Sequence, residues 1–437
     1  MAPNRKPTED DKETGKKKGP LRRFLALLGP GLITGASDDD PSGIGTYTAA
    51  GASLGFTTLW TAVVTLPLMA AVQFVCAKTG MVTGRGLAGV LREHYPRWVL
   101  YASVLLLVVA NTINAGTDIG AIAASFNLVL PALPIKLTVV PVAVVILVLQ
   151  IFGSYRLIAQ VFKWLTLSLF AYVAAAFLAR PDWLEVLRAT FVPRPLFTAQ
   201  YLTTLVAILG TTISPYLFFW EASEEVEEEV QMGRKTLAER EGATDEELRN
   251  AAIDTNVGMS FSNVVMYFVI LAAAATLNRH GLTDIESATE AARALEPLAG
   301  PAAKYLFAFG LIGTGFLAVP ILTGSSAYAI AETFGWECSL DAKPREAPKF
   351  YGFIAASTLA GALINFAGIN PIKALFWTAV INGLLAPPLL VLIMLVSNNP
   401  KVMGERTNGR LVNTLGWAAA VIMVAAAVGM FLTWNQQ

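Results

Sequence analysis

The sequence predicts an all-α polytopic membrane protein, and three observations carry that prediction. Hydrophobic residues make up 54% of the 437 positions and charged residues only 15%, against roughly 25% charged in soluble domains. The apolar residues fall in repeated runs near the roughly 20 residues that cross a hydrocarbon core, and mean hydropathy is +0.55. Lysine and arginine gather on alternate connections between those runs.

Eleven spans are expected, at about 24–52, 56–79, 98–128, 136–152, 157–179, 200–221, 256–277, 303–332, 351–367, 374–396 and 411–433. Together they form a single transporter-like domain over residues 21–433. With the N-terminus inside, the inner segments hold Lys16, Lys17, Lys18, Arg85, Arg92, Arg234, Arg240 and Lys343, while Arg188 and Arg279 fall outside. Over all connections the bias is roughly three to one for a cytoplasmic N-terminus, consistent with a plasma (inner) membrane protein. Residues 1–20 are polar and Lys-rich with no apolar stretch, and read as a disordered cytoplasmic tail. Formal net charge is zero, and the only two cysteines, Cys76 and Cys338, fall near inner ends, where a structural disulfide is not expected. No phosphate-binding loop, nucleophile–base constellation or nucleic-acid motif is present, so neither an enzyme nor a nucleotide-driven pump is expected. No cofactor and no obligate protein partner is implied; the lipid bilayer is the expected surrounding.

Spans one and six are both interrupted. The first breaks at Gly35-Ala36-Ser37-Asp38-Asp39-Asp40-Pro41-Ser42-Gly43 and the sixth at Gly210-Thr211-Thr212-Ile213-Ser214-Pro215-Tyr216. Proline lacks the helical donor and clashes with the preceding turn, and glycine tolerates the resulting backbone. Spans one and six correspond if spans 1–5 and 6–10 are inverted repeats, and paired broken helices point to a substrate site near the midplane. Three consecutive aspartates inside a span each cost about 2.5–3.5 kcal/mol on insertion scales, so they require water, a partner or an ion. No lysine or arginine lies in the neighbouring apolar runs, which makes a cation the natural partner for Asp40, with Asp38 and Asp39 in a vestibule. The donors near the breaks are carboxylate, hydroxyl and carbonyl groups, which suit Mg²⁺, Ca²⁺ or Mn²⁺ over softer metals.

The Asp40-Pro41-Ser42-Gly43 break resembles the Asp-Pro-Gly-Asn signature of the Nramp family of metal-ion transporters, and Gly210 to Tyr216 resembles its Gly-Ala-x-x-Met-Pro-His segment. The resemblance implies a LeuT-type inverted repeat, spans 1–5 and 6–10 plus an eleventh span, with a metal site at Asp40, Gly43, Thr211 and Ser214. The departures matter as much. Asp40 keeps the family's aspartate, but Gly43 stands for asparagine, Thr211 for alanine, Ser214 for the soft methionine and Tyr216 for histidine. Loss of the thioether removes the preference for soft metals, and the pattern resembles the Nramp-related magnesium transporter branch. Transport of Mg²⁺, with Mn²⁺ accepted, is what that resemblance implies.

Asn111, Asn114 and Asp118 share one face of span three and could line the pathway or form an interhelical seam. The segment from Thr117 to Ala121 resembles the family's Asp-x-x-Glu proton element, with Asp118 retained and Ala121 at the glutamate position, so proton coupling is not expected. Glu221 is a candidate for an inner vestibule, whereas Glu224, Glu225, Glu227, Glu228 and Glu229 read as a solvated helix face. Asn382 in span ten faces inward or packs between helices. The alternatives are a proton-coupled Mn²⁺ carrier, which Asp118 would favour, and a small-organic-solute carrier of the same fold. A non-transporting metal sensor would need an appended ligand or signalling domain that the sequence lacks.

Overall fold

A computed structural model describes residues 30–153, 167–340 and 342–434, and every regular element among them is helical. The expected tail at 1–20 and the first part of span five lie outside these residues. The broken first span is α1 (Pro30–Asp38) and α2 (Pro41–Leu54). There follow α3 (Trp60–Thr83), the short α4 (Leu87–His94), α5 (Arg97–Val129), α6 (Ile135–Phe152) and α7 (Ala171–Leu178). The second half begins with another broken pair, α8 (Ala199–Thr212) and α9 (Pro215–Gln231). It continues through α10 (Asp245–Thr276), α11 (Ala303–Phe334), α12 (Pro348–Ile364), α13 (Pro371–Ser397) and α14 (Arg410–Thr433).

Among the described residues, 8 helical segments are long and apolar enough to cross a bilayer, with α8 and α9 taken together. The other three expected spans are the divided α1–α2, the partly described fifth, and α12, whose 17 residues fall just short. The chain is a multi-pass integral membrane protein. Exposed Leu, Val, Phe and Trp side chains cover the outside of the bundle, as at Leu105, Leu137, Val148, Leu363 and Leu432, which is costly in water and normal against lipid.

The packing shows the internal repeat. The first span lies on α10, the seventh, while α9 of the sixth lies on α3, the second. Exchanging each span for the one five later maps the first pairing onto the other. The third span, α5, packs on the eighth, α11, which is the pairing that this exchange leaves in place. Both breaks have the same chemistry: two non-helical residues, then a half-helix opening on proline, Pro41 after Asp40 and Pro215 after Ser214. Proline at the first helical position gives up a donor that had no intrahelical acceptor.

Cys76 is buried and Cys338 half-buried, and neither forms a disulfide. The acidic run on α9 differs from expectation. Glu225, Glu227 and Glu229 are buried. Glu227 accepts hydrogen bonds from Tyr328 Oη and Ser339 Oγ, both at 2.9 Å, and Glu229 pairs with Arg234 at 3.1 Å. These carboxylates lock the end of α9 to α11 and to the following loops, so only part of the run faces outward.

Candidate metal site

Asp40 occupies the N-cap of α2 with an extended backbone (φ −65°, ψ 169°), and its carboxylate turns back over the first turn. Oδ1 accepts from the Gly43 amide and the Ser42 hydroxyl, each at 2.7 Å, while Oδ2 accepts from Asn114 Nδ2 of α5 at 2.9 Å. The cap satisfies an orphan helix donor and fixes the carboxylate where the half-helix dipole is positive. Asn114 Oδ1 has no hydrogen-bond partner and is buried, so it remains a free acceptor next to Asp40.

The second break meets the first at Gly43. A β-carbon there would lie 2.8 Å from Thr211 Oγ1 and 3.4 Å from Asp40 Oδ1. Tyr47 Oη lies 3.4 Å from the same Thr211 hydroxyl. Ser214, unlike Asp40, does not cap its half-helix; its hydroxyl donates to the Gly210 and Thr211 carbonyls at 3.0 and 2.8 Å. It thereby quiets the carbonyl end of α8. Gly210 is required by packing, since a β-carbon would come within 2.1 Å of the Ala379 carbonyl of α13. Asn382 is buried on that same helix, one residue before Gly383, which also contacts Gly210.

The remaining candidates separate into distinct surroundings. Tyr216 donates its hydroxyl to the Ser37 carbonyl at 3.1 Å, which ties the start of α9 to the end of α1. Asp118 is buried on α5 and neither carboxylate oxygen makes a well-formed hydrogen bond; the Ser42 amide is the neighbouring donor. Asn111 donates to the Leu322 carbonyl and to Ser325 and Ser326 of α11 at 2.8–3.0 Å, so it belongs to an interhelical seam. Glu221 accepts from Thr34 of α1 at 2.5 Å, and Asp254 of α10 accepts from the Gly31 amide at 2.8 Å. Asp38 and Asp39 both meet Ser262 of α10, which sequence reading missed. Ser262 lies in an apolar run with Ser260 and Asn263, and that local polarity was its only signal.

Asp38, Asp39, Asp40, Asp118, Thr211, Ser214, Tyr216 and Glu221 are all at most 2% exposed, so the region of the two breaks is closed to solvent. A cavity of about 500 Å³ lies beyond, lined by Gly45, Ser53, Thr203, Thr204, Asp284 and Lys373. Among the described residues no three His, Cys, Asp or Glu side chains converge as a metal cluster. The site offers one capped carboxylate with hydroxyl, amide and carbonyl oxygens around it.

Comparison with known proteins bears on the fold and the family. The chain is 26% identical over 420 residues to the Klebsiella pneumoniae protein called divalent metal cation transporter MntH, covering 94% of this chain and 95% of the relative. It superposes on the crystal structure of the Eremococcus coleocola manganese transporter with a TM-score of 0.73 at 19% identity, covering 95% of this chain and 88% of that one. Mhp1, a nucleobase-cation-symport-1 family transporter, shares the fold at a TM-score of 0.60 and 15% identity, covering 94% and 93%. The fold is therefore the LeuT-type inverted repeat, and the matched relatives are transporters, not enzymes. The model of the family described as natural resistance-associated macrophage protein-like matches residues 31–433, and the chain belongs to the Nramp family.

Proposed function

We propose that the chain carries divalent metal cations across the membrane by alternating access, with Mg²⁺ as principal substrate, Mn²⁺ also accepted, and no coupling to protons. The observation that carries the ion preference is the donor set at Asp40. Its partners are Ser42, Gly43 and Asn114, and the facing break contributes Thr211, while Ser214 keeps its hydroxyl on the Gly210 and Thr211 carbonyls; none of these residues carries a thioether, thiol or imidazole. Mg²⁺ binds through one or two carboxylates and keeps several waters, and it gains nothing from soft ligands. The breaks touch through Gly43 and Thr211 in this closed arrangement. A hydrated ion therefore enters when the half-helices part.

Two features support uncoupled transport. Tyr216 stands at the histidine position and spends its hydroxyl on the Ser37 carbonyl, and Ala121 at the glutamate position is buried in the core. The membrane potential suffices as a drive: two charges across 100 mV amount to about 4.6 kcal/mol inward. This reading places the N-terminus in the cytoplasm of a plasma (inner) membrane protein. A second reading, a proton-coupled Mn²⁺ carrier, is favoured by Asp118, whose poorly partnered carboxylate is retained near the Ser42 turn. An organic-solute carrier of the amino-acid type fits less well, because three aspartates at the first break repel a substrate carboxylate. Fluxes of Mg²⁺, Mn²⁺ and Ca²⁺ into proteoliposomes test the proposal. Mg²⁺ and Mn²⁺ entry, with Mg²⁺ preferred, is expected; Mn²⁺ entry without any Mg²⁺ entry contradicts it.

A further inference from the structure

We infer that Asp38 and Asp39, together with Ser262, form a second divalent-cation subsite beside the Asp40 site; the inference rests on the metal-transport reading. The argument starts from hydrogen-bond supply. Asp40 has three protein donors on its two oxygens. Asp38 and Asp39, fully buried, share one. Ser262 Oγ lies 2.5 Å from Asp38 Oδ2 and 3.3 Å from Asp39 Oδ1, and a hydroxyl has a single proton, so it serves one carboxylate at a time. Asp38 Oδ1 and Asp39 Oδ2 have no partner at all. Neither side chain is exposed to solvent, and nearby α1 and α10 approach backbone to backbone: a β-carbon on Gly35 would sit 2.2 Å from the Gly258 carbonyl.

Charge completes the argument. Among the described residues the ion pairs formed by lysine and arginine involve Glu93, Glu229, Glu247, Glu296, Asp284, Glu286 and Asp245, and none reaches Asp38 or Asp39. Two buried carboxylates without a cationic side chain are costly as long as both carry charge. One divalent cation would neutralise both, and the carboxylate and hydroxyl oxygens here are the ligand type that Mg²⁺ and Mn²⁺ prefer. The Ser262 hydroxyl holds the two side chains toward a common point, which makes it a positioning residue. A cation there lies directly beside the Asp40 turn, so the pathway offers two adjacent stations, and electrostatic repulsion between two occupants would help one to leave.

Binding of Mn²⁺ to the purified full-length protein in detergent, followed by equilibrium dialysis with electron paramagnetic resonance, tests the inference. Two Mn²⁺ per chain are expected in the wild type, both displaced by Mg²⁺. One should remain in Asp40→Ala, one in Asp38→Asn/Asp39→Asn, and none in the combined variant. A wild type that binds one Mn²⁺, lost in Asp40→Ala and unaffected by Asp38→Asn/Asp39→Asn, overturns the second subsite and leaves the transport reading standing. Failure to bind any divalent ion overturns both. Thermal stabilisation gives an independent readout should the double variant not fold. Mn²⁺ should still raise the melting midpoint of Asp40→Ala, and adding Asp39→Asn should raise the half-saturating concentration at least about tenfold, the loss expected for one charged ligand. Absence of any Mn²⁺ stabilisation in folded Asp40→Ala overturns the inference.

Discussion

Three protein donors hold the Asp40 carboxylate in place, so its geometry is set by the fold, and in the proposed function its charge is left for the substrate. Asp40→Ala should therefore reduce metal uptake to background while leaving expression and folding largely intact, and Asp40→Asn should be nearly as damaging, as radiotracer or fluorescent-dye uptake will report. A second residue-scale prediction concerns selectivity. Gly43→Asn, Thr211→Ala and Ser214→Met together should move preference from Mg²⁺ toward Mn²⁺, because a thioether rewards the softer ion and the added bulk leaves less room for hydration. Thr211→Ala must accompany Gly43→Asn, since the Thr211 hydroxyl occupies the space that a side chain at 43 would need. Competition between the two ions in uptake checks it, and an unchanged ratio in a folded variant places selectivity elsewhere. Much of this site was legible in the sequence, since Asp40 and Thr211 announce themselves through Pro and Gly at a helix break. What periodicity could not supply was the neighbour across the helix. Asn111 and Asn114 share a face three residues apart, yet one bonds α11 and the other Asp40. Ser262 lies more than two hundred residues from its carboxylates and carries no motif.

At the scale of elements, the half-helices are held by backbone contact and by buried carboxylates. Gly35 lets α1 lie on α10, and Gly35→Ala would drive a methyl into the Gly258 backbone. That variant should lose about 1–3 kcal/mol of stability, read as a lower melting midpoint in detergent, since backbone cannot step aside as a flexible side chain can. The far end of α9 depends on Glu227, which binds Tyr328 and Ser339. Glu227→Ala should cost a similar amount, because it leaves buried donors unserved; a melting midpoint equal to the wild type would show that these bonds contribute nothing. The breaks themselves were legible, as was the order of the spans. The buried acidic run was not, because a row of glutamates at a helix end reads the same whether water or tyrosine receives it. The ninth span, expected at 351–367, is α12 at Pro348–Ile364.

For the whole molecule, the inverted repeat makes orientation a test of function as well as of topology. Cysteines introduced for Lys235 and Lys343 should react with an impermeant reagent from the cytoplasmic side, and one for Arg188 from the opposite side. Of the native thiols, Cys76 is buried, and burial pushes the half-buried Cys338 thiol up to about 12, which slows its reaction; the wild type gives the labelling background. Labelling of Lys235→Cys and Arg188→Cys from one side would contradict the proposed topology. The larger issue is what drives the ion. In the proposed function, tyrosine, with an ordinary pKa of about 10, and alanine stand where the resemblance puts two of three proton-handling groups, which would leave Asp118 without a successor. The most direct measurement is lumenal pH during Mg²⁺ entry into proteoliposomes under a negative-inside potential. The account predicts Mg²⁺ uptake that accelerates with the potential, no metal-dependent acidification after correction for ionophore leak, and no accumulation driven by a pH gradient alone. Metal-dependent acidification that disappears in Asp118→Asn would contradict it and identify a proton-coupled carrier.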